Sequence, residues 1–220
     1  MSQSKALFAV LLTAALTLAP TGLLSQEGPA PVRVPDWNCR PILTDGVFSP
    51  GEWDDALAVQ VQPDLRLLLK KSGDFVFLGL KYPPCVLSSA DVFISSDGKS
   101  VHHLHVSAQL GERLLNETPG LDDDPEFIWG DTTGWYANEV RWSEKKVQAL
   151  MKEGKKRDEA QEAAVYRYDG FEFQIRRSKF ASDEWRIRLE TPMPPDWSPV
   201  VFPAGTVPGS TRGWLTLVLK

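Results

Sequence analysis

The sequence predicts an all-β chain, an antiparallel β-sandwich of jelly-roll-like type, and three features lead there. Short segments alternate apolar and polar residues with the period of two that a half-buried strand requires. Turn pairs such as Asp97-Gly98 and Asp169-Gly170 separate them. Only one stretch, Ser143 to Ala163, is patterned as a longer helix. Strands spaced this way, with one inserted helix, argue for two packed sheets.

Residues 1–25 read as a signal peptide. Lys5 gives a weak positive start, and the apolar run from Leu7 to Ala19 falls short of the roughly 20 residues a membrane span needs. Cleavage is expected between Ser25 and Gln26, which leaves no membrane span and places the protein outside the cell or in the periplasm; an uncleaved anchor is the alternative. Residues 26–41 are proline-rich and read as an extended N-terminal segment. The sandwich domain is assigned to residues 42–220.

Its opening stretch runs from Thr44 to Leu57. Asp45-Gly46 is a turn pair. Ser49 reads as a helix N-cap, Pro50 as the first helical residue, and Glu52 as the partner that closes a capping box. Trp53, Ala56 and Leu57 then share one apolar face, so a short capping helix should press Trp53 into the end of the sandwich.

Two hairpins follow. Leu65–Lys70 and Phe75–Tyr82 are joined by Lys71-Ser72-Gly73-Asp74, with Pro83-Pro84 ending the second strand. Asp91–Ser96 and Val101–Ala108 are joined by Asp97-Gly98, and alternation puts His102 with Leu104 and Val106, and His103 with His105 on the other face. Residues 111–134 read as a polar, acidic loop. Trp135–Trp142 is a strand, and the charged helix after it is capped by Ser143. Ala164–Tyr168 and Phe171–Arg177 form a hairpin with the two-residue turn Asp169-Gly170. Trp185–Leu189 and Trp214–Leu219 complete the set, around a proline-rich loop that carries Trp197.

Several of these residues carry a resemblance. Asp45-Gly46-Val47-Phe48 followed by Glu52-Trp53-Asp54-Asp55-Ala56 resembles the opening of the family 9-like carbohydrate-binding modules, within the DOMON-like β-sandwich group. The strand Asp91-Val92-Phe93-Ile94-Ser95-Ser96-Asp97 and its partner from His102 resemble the central hairpin of that family. Glu172-Phe173-Gln174-Ile175 resembles a further stretch, with Arg176 where the family has proline. The resemblance covers residues 42–219, interrupted at 111–134 and 143–163. It implies a non-catalytic module that binds a polysaccharide or oligosaccharide.

Stacking on sugar rings needs exposed aromatic faces. Trp53, Trp185 and Trp214 sit in periodic apolar contexts and read as core. Trp129, Trp197, Trp135 and Trp142 lie in or beside polar loops and are the platform candidates, Trp129 and Trp197 foremost. The formal charge of −5 and pI near 5.3 exclude the basic stripe of a nucleic-acid binder. No nucleophile elbow, phosphate loop or zinc-protease helix is present, so no enzyme activity is expected.

Other chemistry has weaker candidates. Asp122, Asp124 and Glu126 offer hard oxygen ligands for calcium without the spacing of an EF-hand. His103 and His105 share a strand face and, with Met193, are conceivable ligands for a metal or for haem, which would make the chain a redox domain. An envelope scaffold that uses a sheet edge and the charged helix is a third reading. Cys39 and Cys85 are either a disulfide or two separate thiols.

Overall fold

The computed structural model describes residues 28–37, 40–86, 88–116, 127–130, 132–193 and 196–220. The signal segment, its cleavage position, Cys39, Asp122, Asp124 and Glu126 lie outside the described residues. The pairing of Cys39 with Cys85 lies outside them too.

Two sheets form the sandwich. The larger contains β1 (Val32–Arg33), β5 (Ala90–Ser95), β6 (Ser100–Val106), β7 (Leu110–Asn116), β8 (Ile128–Trp129), β11 (Glu184–Met193), β12 (Ser198–Phe202) and β13 (Leu215–Val218). Its order is β1-β13-β11-β5-β6-β7-β8, with β12 beside β11. The smaller contains β2 (Leu57–Gln62), β3 (Leu65–Ser72), β4 (Phe75–Val86), β9 (Trp135–Ala137) and β10 (Arg167–Arg176), in the order β2-β3-β4-β10-β9. Pairing is antiparallel except for β1 on β13. The extended N-terminal segment therefore belongs to the sandwich from Val32 onward.

The core lies between the inner faces, as alternation requires. Leu65, Leu67 and Leu69, then Val76, Leu78 and Leu80, then Phe171, Phe173 and Ile175 face it from the smaller sheet. Val92, Ile94, Leu104, Val106, Trp185, Ile187 and Leu217 face it from the larger. A second apolar layer covers the outer face of the smaller sheet, where Phe48 and Trp53 lie on Leu68 and Phe77.

Several elements differ from expectation. The opening stretch is a run of turns, with no helix. Pro50 and Gly51 occupy the centre of a turn closed by the Glu52 amide donating to the Ser49 carbonyl (3.1 Å). Gly51 has φ of +86°, which places the pair in a type II turn and forbids a right-handed helix there. Half of the expected capping box survives, since the Ser49 amide donates to the Glu52 carboxylate (2.8 Å). Trp53 lies on the outer face of a sheet rather than at the end of the sandwich.

Asp169-Gly170 is not a hairpin turn either. β10 runs straight through it with a bulge, because this is where the opening stretch docks. The Asp169 amide donates to the Gly46 carbonyl (2.8 Å), and its carboxylate accepts from the Phe48 amide (3.2 Å). A Cβ on Gly170 would come 2.0 Å from the Leu80 carbonyl oxygen, so only glycine permits that approach.

Strand β4 continues through Pro83-Pro84 to Val86. The prolines fall between Lys81 and Cys85, where the β10 ladder is interrupted, so no ladder amide is lost there. Residues expected as one acidic loop contain β7 and β8. The expected single helix is a pair, α1 (Glu144–Lys152) and α2 (Arg157–Ala164). Gly154 and Lys155 close α1 by donating to Met151 and Leu150 carbonyls, a glycine stop. Ser143 caps α1 as expected, accepting from the Lys146 amide (3.3 Å). No helix among the described residues is long and apolar enough to cross a membrane.

Candidate functional site

The four tryptophans nominated from the sequence fall in four different places. Trp135 is 4 % exposed and belongs to the core, so it is not a platform. Trp142 packs against Val147, Ala160 and Ala164 beneath the helix pair, and its role is to seat that pair. Trp129 and Trp197 are 53 % and 43 % exposed but do not act together. The strands β7, β6, β5 and β11 lie between them, which at the usual spacing is roughly 24 Å of sheet.

Trp129 borders a cluster on the outer face of the larger sheet. Asp91, Phe93, His103, His105 and Arg113 project there from β5, β6 and β7 in register. The Arg113 guanidinium donates to His103 Nδ1 (3.0 Å), so Nε2 carries the proton and donates to Asp91 Oδ1 (2.7 Å). His105 Nδ1 is 2.8 Å from the same oxygen. Burial alone would raise the Asp91 carboxyl, but the two imidazoles outweigh it and hold it at about 2.

Phe127 and Trp129 close over His105, and Phe93 stacks under His103 at 4.0 Å. His103 is 5 % exposed, so this is a packed polar layer rather than a solvated outer face. Both nitrogens of His103 are spent. Met193 packs toward the main core, on the opposite face of the sheet from the histidines. The three residues therefore do not fit a shared haem or metal, and no cluster of three or more ligand-type residues occurs among the described residues.

A different place has the form of a binding site. On the outer face of the smaller sheet, an open cleft of about 770 Å³ is lined by Phe75, Tyr136, Gln174, Arg176, Lys179 and the turn 132–134. Its size lies within the range of small-ligand sites. Strand alternation builds its floor. Along β9 Trp135 and Ala137 turn inward and Tyr136 turns out; along β10 Phe173 and Ile175 turn inward, and Gln174 and Arg176 turn out. Tyr136 is 41 % exposed and sits directly across from Gln174.

The wall is pinned from the other sheet. The Glu112 carboxylate on β7 accepts from the Trp135 indole (2.9 Å), pairs with Lys179 Nζ (3.0 Å) and bonds His102 Nδ1 (2.8 Å). Lys179 also donates to the Thr133 carbonyl (2.8 Å). Burial would raise the Glu112 carboxyl, yet His102 and Lys179 together hold it below its ordinary value. The Arg176 amide donates to the Gly134 carbonyl (2.7 Å), and its guanidinium lies 5.4 Å from the Phe75 ring centre.

Sequence reasoning missed Tyr136, Gln174 and Arg176 as site residues. The signal was present: a strand starting at Trp135 with Ala137 inward must expose Tyr136. No protein-family model, no curated protein and no solved structure matches this chain.

Proposed function

We propose that this protein is an exported, non-catalytic β-sandwich module that binds carbohydrate, and that the Tyr136 cleft is its binding site. The observation that carries the reading is the composition of the cleft floor. An exposed tyrosine ring lies beside an amide and a guanidinium on a rigid sheet. A sugar presents an apolar C–H face and an edge of hydroxyls, and these groups meet both. The phenol ring offers the stacking surface. Gln174 can donate to and accept from hydroxyls, and Arg176 supplies fixed donors.

The platform thus moves from the tryptophans to Tyr136. Trp135 supports it from below, held by Glu112. The resemblance of the opening stretch to family 9-like modules is in keeping with this reading. A glycan array followed by affinity electrophoresis on soluble polysaccharides tests it. Wild-type protein is expected to be retarded by at least one polysaccharide. Tyr136→Ala should weaken that retardation tenfold or more while leaving the melting temperature unchanged. Retention on no polysaccharide, or a Tyr136→Ala variant that binds as well as wild type, would sink the proposal.

A further inference from the structure

The charge of the cleft narrows its ligand, on the premise that the cleft binds a glycan. The chain is acidic, with 29 Asp and Glu against 24 Lys and Arg. The described residues that line the cleft reverse that balance: they include Arg176 and Lys179 and no carboxylate.

The two cations are not equivalent. Lys179 is 11 % exposed at its side chain and spends its charge on Glu112, behind the wall. Arg176 is exposed and makes no ion pair among the described residues. Asp183, the first carboxylate after it in the chain, is taken by Arg177 at 2.8 Å, and Glu172, four residues before it, is buried and bonded to the opening stretch. Arg176 rests its guanidinium against Phe75, beside Gln174 and one pleat away from Tyr136. A guanidinium supported on an aromatic ring keeps its edge donors in a fixed fork, the geometry that matches a carboxylate or sulfate oxygen pair.

We infer that the cleft recognises an acidic saccharide, with one sugar ring on Tyr136 and the anionic group of that or the adjoining unit on Arg176. The shared chemistry is a saccharide that bears a carboxylate or a sulfate ester. Net negative charge elsewhere on the protein makes non-specific adsorption of a polyanion unfavourable, so retention has to come from the site.

Affinity electrophoresis in gels containing polygalacturonate, dextran sulfate or neutral xylan tests the inference, with Arg176→Gln and Tyr136→Ala run beside wild type. Polygalacturonate is expected to retard wild type at least tenfold more strongly than xylan. Arg176→Gln should abolish that preference and keep whatever weak xylan binding exists; Tyr136→Ala should lose both. Raising the salt concentration should weaken polygalacturonate binding and leave xylan binding unchanged. Retention on dextran sulfate alone would support the inference and assign the anion to a sulfate ester. Equal retention on xylan and polygalacturonate, insensitive to Arg176→Gln, would overturn the acidic specificity and leave carbohydrate binding standing. Retention in none of the three gels, together with an empty glycan array, would remove both.

Discussion

Trp53→Ala is expected to cost about 3–5 kcal/mol of folding stability, the range for removing a large buried aromatic side chain. The indole is 8 % exposed. It stacks on Phe48 with ring centres 5.5 Å apart and lies against Leu68 and Phe77. Lys70 Nζ, itself buried, sits 5.6 Å from the ring; it pairs with Asp55 at 3.1 Å and donates to the Glu52 carbonyl. The floor beneath is sheet, held by the β3–β4 ladder, and does not rise into the space. Trp53→Phe should keep most of the packing and lose the hydrogen bond that the indole donates to the buried Glu172 carboxylate, at about 1–3 kcal/mol. Ser49→Ala should stay within about 0.5 kcal/mol, since the Ser49 hydroxyl makes no hydrogen bond among the described residues and caps no helix. Denaturant melts of the three variants read this ranking. A Trp53→Ala protein as stable as wild type would mean that the opening stretch does not hold to the sheet.

Glu172→Ala should cost about 3 kcal/mol, because it leaves several donors without an acceptor. The carboxylate is fully buried. It accepts from the Asp45 amide (3.0 Å), the Gly46 amide (2.8 Å) and the Trp53 indole (2.9 Å). These bonds fasten the opening stretch to β10. Burial nonetheless pushes the carboxyl up to about 7, against the pull of the three donors. A raised acid binds its proton more tightly in the folded protein than in the unfolded chain. Its contribution is therefore complete below the unfolded value of 4.5 and is lost as pH rises through 7, an effect on the order of 3 kcal/mol. Melts between pH 4.5 and 8 should show wild type weakening as pH rises. Glu172→Ala should lack that slope, and an identical slope in both proteins would contradict the assignment.

The sandwich was legible because strand alternation is local. Phe171, Phe173 and Ile175 face the core for the reason the sequence suggests: every second residue is apolar. What was not legible depended on partners distant in sequence. Asp169-Gly170 has the composition of a hairpin turn, yet the opening stretch, some 120 residues earlier, needs that site as a docking bulge. Ser49-Pro50-Gly51-Glu52 fits both a helix start and a type II turn. The choice falls to the turn because Trp53 must reach Glu172 across the sheet. β7 was hidden because Glu112 and Arg113 read as loop residues, whereas both are inward or covered and bonded to histidines of β6 and beyond. At the candidate site the exposed ring follows from strand parity: once Trp135 is inside, Tyr136 is outside.

The helix pair leaves and rejoins the sandwich at one point. The Ser143 amide donates to the Ala164 carbonyl (3.0 Å), the Tyr166 amide to Arg141 (2.9 Å), and Trp142 pairs with Val165. Its apolar residues, Val147, Ala160 and Ala164, pack with one another and with Trp142 and Leu150. The pair therefore behaves as a cassette: the chain from β9 to β10 is already closed beneath it, and closure entropy changes slowly with the length of what is looped out. Replacing residues 144–163 with a short glycine-serine turn should leave the sandwich folded. Conversely, a whole domain could be spliced in at Gly154 without disturbing the cleft, which makes this connection the natural place for the architecture to grow.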